Sequence, residues 1–226
     1  IIDNDIFRAH FIVAKCKGFT TFDSRLLQGI GLAVSYLLNR VDRTLLRHQY
    51  RRYIYQSSDS NLSFSDPYKF DTHRIDFSLQ NIKAALLASG SIPMVMEGIR
   101  DIPSSPKGMY RDGGIIDYHF DINIQNEGLT LYPHFNNKPK AGWFDKNLDR
   151  PVNPEHYNNT VILCPSRAFV ESLPYKKIPD RTDFTEFDAE TRIAYWKETL
   201  ARTDELGEDF SNFVRQQDIA RIKPFS

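Results

Sequence analysis

The sequence predicts an α/β fold built on a largely parallel sheet. Short runs rich in β-branched and aromatic residues alternate along the chain with longer segments of helical periodicity. The 226 residues are enough for one domain with an appendage, and for a sizeable buried core. The 41% hydrophobic and 26% charged content is that of an ordinary globular protein.

The elements follow in order. "AHFIVAKC", residues 9 to 16, reads as a buried strand closed by Lys17-Gly18. From about Asp23 to Arg47 the pattern is helical. Leu26, Ile30, Val34, Leu37 and Val41 recur at helical spacing, and Thr21 and Asp23 are candidate caps. "HQYRRYIYQ" and "KFDTHRIDFS" read as strands around the Ser/Asp-rich loop "SSDSNLSFSDP". Ser78 is a candidate cap for a helix carrying Ile82, Ala85, Leu86 and Ala88, stopped at Gly90 or before Pro93. "GMYRDGGIID" turns into a strand, and "LTLYPHF" and "TVILCPS" are two more. From about Phe184 to Asp218 the chain is mostly helical, with Ile193, Trp196 and Leu200 on one face and Leu206, Phe210 and Phe213 on another.

Bulk numbers exclude several classes. Lys+Arg and Asp+Glu are both 29, so no global field argues for nucleic acid. No apolar run approaches the ~18 residues that span a bilayer. The first residues lack the basic-then-apolar pattern of a signal peptide. Cys16 and Cys164 each sit in an apolar run and read as buried thiols rather than a disulfide or a metal site.

Two local features carry the functional reading. Asp112-Gly113-Gly114 in "MYRDGGIIDYHFD" is by itself a tight turn, or an acid held at a sheet edge by a sharply bent backbone. "AALLASGSIPMVM", residues 84 to 96, is by itself a packed helix with a glycine cap. Taken together, in this order and about twenty residues apart, they resemble the second half of the patatin-like phospholipase family. There an "AS-small-IP" segment precedes the strand that carries D-G-G or D-G-A. The matching residues are Ala88, Ser89, Gly90, Ser91, Ile92 and Pro93, then Asp112, Gly113 and Gly114, with Ile115, Ile116 and Asp117 fitting the two apolar residues and Asp that follow. The likeness covers roughly residues 9 to 135.

The resemblance implies a three-layer α/β/α fold with mostly parallel strands flanked by helices. Residues 1–135 are then the C-terminal part of the hydrolytic domain, and 136–226 an extension of strands and helices. It also implies hydrolysis of a lipid or fatty-acyl ester by a Ser-Asp dyad, with Asp112 as the acid, Gly113 and Gly114 shaping its turn, and no cofactor or metal. Implied partners are the lipid substrate, a peripheral membrane surface and the N-terminal part of the same protein. The implied setting is the cytoplasm or a membrane face.

The chain departs from the family in one decisive respect. No two of its glycines are four apart, so it contains no G-x-S-x-G. The first residue is Ile rather than Met, and the expectation is that the serine lies upstream of residue 1. The alternative is a patatin-like binding or interaction module that has lost its nucleophile. The run Asp117-Tyr118-His119-Phe120 also differs from the Asn and Pro usual after that second Asp.

The remaining polar features read as structural. His119 lies close to Asp112 in sequence, yet without an elbow serine it reads as a half-exposed strand or loop residue, and His134 likewise. Arg40, Arg43, Arg47 and Arg51 form a basic stripe if the helix runs that far, for anionic headgroups or for acids elsewhere. An acidic stretch from Asp180 to Asp209 is a candidate counterpart, or is simply solvent-facing.

Overall fold

The computed structural model describes residues 6–125 and 127–225. The chain forms two compact units, residues 1–129 with 139–159, and residues 130–138 with 160–226.

In the first unit the elements are β1 (His10–Cys16), α1 (Arg25–Val41), β2 (Tyr50–Gln56), β3 (Phe64–Ser65), β4 (Thr72–Asp76), α2 (Ile82–Ser89), β5 (Ile99–Arg100), β6 (Met109–Asp112) and β7 (Asn123–Ile124). Five strands make one sheet in the order β4-β2-β1-β6-β5, and β3 pairs with β7. The central strand β1 is buried on both faces, as an unbroken "FIVA" run requires. On one face Val13, Tyr53, Tyr55 and Tyr110 pack with Ala85 and Ala88 of α2. On the other, Ala14, Cys16, Leu46, Tyr50, Met109 and Ile116 pack with Leu32 of α1.

The fold is mixed α/β, and the sheet is mixed rather than mostly parallel. β2 and β4 run parallel, but β1 runs antiparallel to β2 and to β6, and β5 to β6. The reason lies in how α1 is inserted. Cys16 pairs with Tyr50, and Lys17 N donates to Gln49 O at 2.9 Å, so β1 and β2 close like a wide hairpin with α1 inside it. Alternation of strand and helix therefore reports the class of the fold but not the direction of the strand after each helix.

The helix α1 is shorter than its periodicity predicts. It stops at Val41, and Asp42 then caps a 3₁₀ turn over Arg43–His48 by accepting from Thr44 N at 2.8 Å. Neither expected N-cap is used. Ser24 occupies the position without a side-chain cap, Thr21 donates to Gly18 O, and Asp23 accepts from Arg111. Its orientation also inverts the usual amphipathic rule. Gln28, Ser35 and Asn39 are buried, whereas Leu26, Leu37 and Val41 are 73%, 59% and 81% exposed. Each of the three buried polar residues makes at least one hydrogen bond, though Asn39 Oδ1 accepts none. Gln28 donates to Phe22 O and accepts from Met94 N, Ser35 meets Gln49 and Tyr50, and Asn39 donates to Asp145 at 2.8 Å.

The expected helix after Ser78 forms as α2 and ends at Gly90. Ser78 starts the turn that leads into it, its hydroxyl accepting from Asn81 N at 3.3 Å. Near residue 112 the strand lies before Asp-Gly-Gly, not after it. β6 ends at Asp112, and Gly113–Ile115 form a 3₁₀ turn. The two glycines favour that tight turn over continued extension.

The second unit holds β8 (Thr130–Pro133), β9 (Thr160–Leu163), α3 (Arg167–Ser172), α4 (Asp183–Glu186), α5 (Ala189–Ala201) and α6 (Thr203–Gln216). β8 and β9 pair in parallel. Asp183 is buried and ties the helices together, receiving Lys177 Nζ at 2.7 Å and Trp196 Nε1 at 2.8 Å. Both cysteines are free thiols, Cys16 buried and Cys164 half-buried. Among the described residues no helix is long and apolar enough to cross a membrane.

Candidate active site

The two sequence features singled out above meet in the structure. Asp112 N donates to Ser91 O at 3.2 Å, which ties the end of β6 to the "ASGSIP" turn after α2. On its other side β6 pairs with β1, and Asp112 stands opposite Val13.

The glycines are needed for two different reasons. A Cβ on Gly113 would lie 2.3 Å from the carbonyl oxygen of Ile12 and 2.6 Å from its carbon, so the turn passes directly against the β1 backbone. A Cβ on Gly114 would lie 3.1 Å from Asp112 Oδ1. That second closeness follows from a bond: Gly114 N donates to Asp112 Oδ1 at 2.8 Å. The carboxylate thus caps its own turn.

The turn is anchored from behind. Asp117 N donates to Gly113 O at 2.9 Å. The Asp117 carboxylate takes two bonds from the buried Arg52 guanidinium, at 2.7 and 2.6 Å, and a third Arg52 nitrogen reaches Asp66 at 2.6 Å. Arg43 donates to Ile116 O and to Asp145 at 3.1 Å. Asp145 also receives Arg150 at 2.8 Å. Two bidentate-capable arginines therefore fix the backbone on which Asp112 sits.

Asp112 itself is half-buried. Burial pushes its carboxyl pKa up, against the smaller downward pulls of the Gly114 N–H and the Lys146 ammonium. Only Oδ1 is engaged in a hydrogen bond among the described residues; Oδ2 accepts none. A half-buried carboxylate with raised basicity and one open oxygen can take a proton from a hydroxyl placed against it. No serine, threonine or cysteine side chain is bonded to it among the described residues. The hydroxyl of Ser91 is buried and donates to Leu87 O at 2.8 Å.

The histidine expectations change in part. His119 is buried rather than half-exposed, and its Nδ1 accepts from Lys140 N at 2.7 Å. His134 is half-buried in the second unit, next to Asn136. The basic stripe does not form, because α1 stops before Arg43. Arg43 turns inward to Asp145, and Arg51 lies on β2 paired with Asp71 at 2.9 Å. The acids of the Asp180 segment meet Lys177 instead.

Sequence reasoning missed one polar cluster. Asp121, buried, receives Tyr68 Oη at 2.5 Å and His156 Nδ1 at 2.7 Å. These residues are up to 88 positions apart by number and share no motif spacing, so only the fold brings them together. No protein-family model, curated protein or solved structure matches the chain.

Proposed function

We propose that this chain carries the acid half of a serine-dependent acyl hydrolase acting on lipid or other fatty-acyl esters in the cytoplasm or at a membrane face. Asp112 is the dyad acid, and the serine comes from residues outside the given sequence. The observation that carries the reading is the junction of Asp112 N with Ser91 O, which joins the two family-like segments around a carboxylate of raised pKa with one open oxygen.

The chemistry balances without a cofactor. Asp112 takes the serine proton as the serine oxygen bonds to the ester carbonyl carbon. The tetrahedral intermediate expels the alcohol, which receives the proton from Asp112. Water then gives a proton to Asp112 and attacks the acyl-enzyme, and the released serine oxygen recovers that proton. Gly113 and Gly114 keep the turn tight enough for the carboxylate to stay at the strand end.

The test uses the longer protein that contains this chain. Asp112→Asn should lower kcat on a p-nitrophenyl ester and on phosphatidylcholine by about 10²–10⁴-fold with the unfolding midpoint retained. Near-normal turnover would sink the dyad. The 226-residue chain alone should release no fatty acid and take no fluorophosphonate label.

A second reading, a patatin-like binding module without catalysis, draws on the cap. Asp112 Oδ1 already has a structural partner in Gly114 N. Fluorophosphonate separates the two: an elbow serine in the longer protein that resists labelling favours the module.

A further inference from the structure

We propose that the corner of the sheet where β1, β2 and β4 bring Lys15, Lys17, Arg51, Tyr53 and His73 together is a binding site for a phosphate group. The inference does not rest on the dyad reading, because Asp112 is not part of that corner.

The strands set the arrangement. Lys15 stands opposite Arg51 on β2 and Tyr110 on β6, and two residues along, Tyr53 stands opposite Val13 and His73. Residues opposite one another share a face of the sheet, and the period of two puts Lys15, Arg51, Tyr53 and His73 on the same one. Lys17 follows β1, its N–H donating to Gln49 O at 2.9 Å. The Lys15 ammonium is held in place. It donates to Pro106 O at 3.1 Å and lies 5.9 and 5.6 Å from the Tyr53 and Tyr110 ring centres. The Tyr53 ring stacks on His73 at 4.8 Å.

Burial leaves polar atoms here without hydrogen bonds. Tyr53 is 1% exposed and its hydroxyl makes none, and neither do the buried atoms Arg51 Nε and His73 Nε2. Buried polar atoms are ordinarily paired, so three in one corner point to a ligand that completes them. One acid approaches: the Asp71 carboxylate lies 2.9 Å from Arg51 Nε and 3.2 Å from His73 Nε2. These are ion-pair distances without hydrogen-bond alignment, and the Asp71 side chain is 52% exposed. It marks where an anion is attracted without filling the donors' directions.

Charge selects the occupant. Burial lowers the pKa of both lysines, and the Arg51 guanidinium lowers each further, so the three cations are close enough to repel one another. Against them stand Asp71 and Asp101, and Asp101 Oδ1 already accepts from Gly108 N at 2.7 Å. Lys17 makes neither a side-chain hydrogen bond nor an ion pair among the described residues. Ammonium, guanidinium and phenol donors converge from different strands. A tetrahedral anion, with acceptor oxygens in several directions, suits them better than a planar carboxylate.

The experiment is a calorimetric titration of the full-length protein with inorganic phosphate, with acetate as the planar control. A Kd on the order of 1 mM is expected, weakening as salt rises. Arg51→Gln and Lys17→Gln should each weaken it about tenfold. Lys17 has no partner to lose, so its variant should keep the unfolding midpoint even if Arg51→Gln does not. Tyr53→Phe should weaken phosphate binding about fivefold, with a phosphate-free midpoint equal to or above that of wild type, because it removes an unpaired buried hydroxyl. A merely structural hydroxyl would lower that midpoint and leave phosphate affinity alone. Asp71→Asn should tighten binding about threefold by removing the competing carboxylate. Glycerol phosphate that displaces inorganic phosphate identifies a soluble phosphomonoester as the source; phosphatidic-acid vesicles that bind where glycerol phosphate does not identify a lipid headgroup. Asp112→Asn should bind phosphate as wild type, so failure of this site and failure of the dyad are told apart. Three results overturn the inference: no saturable phosphate binding, unchanged affinity in both Arg51→Gln and Lys17→Gln, or acetate bound as tightly as phosphate.

Discussion

Replacing Gly113 with alanine tests the claim that the Asp-Gly-Gly turn is built around a backbone contact. The added Cβ would sit 2.3 Å from Ile12 O, 2.6 Å from Ile12 C and 2.9 Å from Ile12 Cγ2. All three lie well inside ordinary van der Waals contact, and the two nearest atoms are main chain of the central strand. They cannot rotate away; β1 or the turn must move. Overpacking of this kind costs about 1–3 kcal/mol, and the backbone character of the clash puts it at the upper end. Alanine also restricts the unfolded chain and returns about 0.4–1 kcal/mol. The net expectation is a loss of about 2 kcal/mol. For a unit of this size each kcal/mol moves the midpoint by about 2–4 °C. The thermal midpoint, followed by circular dichroism, should fall by about 4–8 °C. Gly114→Ala is the control. Its Cβ would meet side-chain atoms alone, Asp112 Oδ1 at 3.1 Å, which can yield by a small rotation, and Tyr118 Cδ2 at an ordinary 3.5 Å, so its midpoint should stay close to wild type. A Gly113→Ala protein as stable as wild type would refute the close approach and the reason given for the glycine.

The other predictions concern charge and thiol chemistry. Arg52→Met leaves Asp117 buried without its counter-ion and should cost about 3–5 kcal/mol in urea unfolding. Combining it with Asp117→Leu should recover much of that loss, and no recovery would mean that Asp66 or packing, not the Asp117 charge, dominates. Burial pushes the Cys16 thiol up to about 12, so at pH 8 a native chain should react with a disulfide reagent at Cys164 while Cys16 reacts only after unfolding. The Asp112 carboxyl has a folded pKa raised by burial, so folding favours its protonated form more than the unfolded chain does. The stability of wild type relative to Asp112→Asn should therefore be greatest at acid pH and decline as pH rises through the folded pKa. A difference that is flat with pH, or that grows with it, would contradict the burial assigned to Asp112.

Much of the fold was legible because local chemistry and final structure agree. "HFIVAKC" becomes the central strand, the small residues of "AALLAS" make the helix that packs closely on Tyr53 and Tyr110, and Gly90 ends it. What was not legible depends on contacts distant in sequence. The helical spacing of Leu26, Ile30, Val34, Leu37 and Val41 identifies a helix, but not which face is buried. That is decided by Tyr50 and Asp145, which offer partners to Ser35 and Asn39. Strand direction escaped for a similar reason, since it was set by the Cys16–Tyr50 pairing that encloses α1. The site was half legible. Asp112 and its glycines stood out, whereas Arg52, which holds the turn through Asp117, read as part of a strand and a neighbour of the basic stripe.

The turn alone does not explain why position 112 is aspartate. Capping Gly114 N needs only an oxygen acceptor, which asparagine or serine supplies equally well. The charge adds nothing to the cap and carries a desolvation cost, because the carboxylate is half-buried and its pKa is raised. The pull of Lys146 offsets only part of that cost, and its ammonium sits 4.0 Å from the Tyr118 ring centre rather than in an ion pair with Asp112. Elsewhere in this unit buried carboxylates have direct side-chain partners, guanidiniums at Asp117 and Asp145 and Tyr68 with His156 at Asp121. Asp112 is the exception, on a turn clamped from both sides with one oxygen left open. Under the proposed dyad the unpaired charge is kept for proton transfer rather than for stability. Asp112→Asn should therefore be neutral or stabilising near neutral pH and still abolish turnover in the longer protein. If the asparagine variant instead unfolds earlier at neutral pH, the charge is structural, and the turn by itself would account for Asp-Gly-Gly.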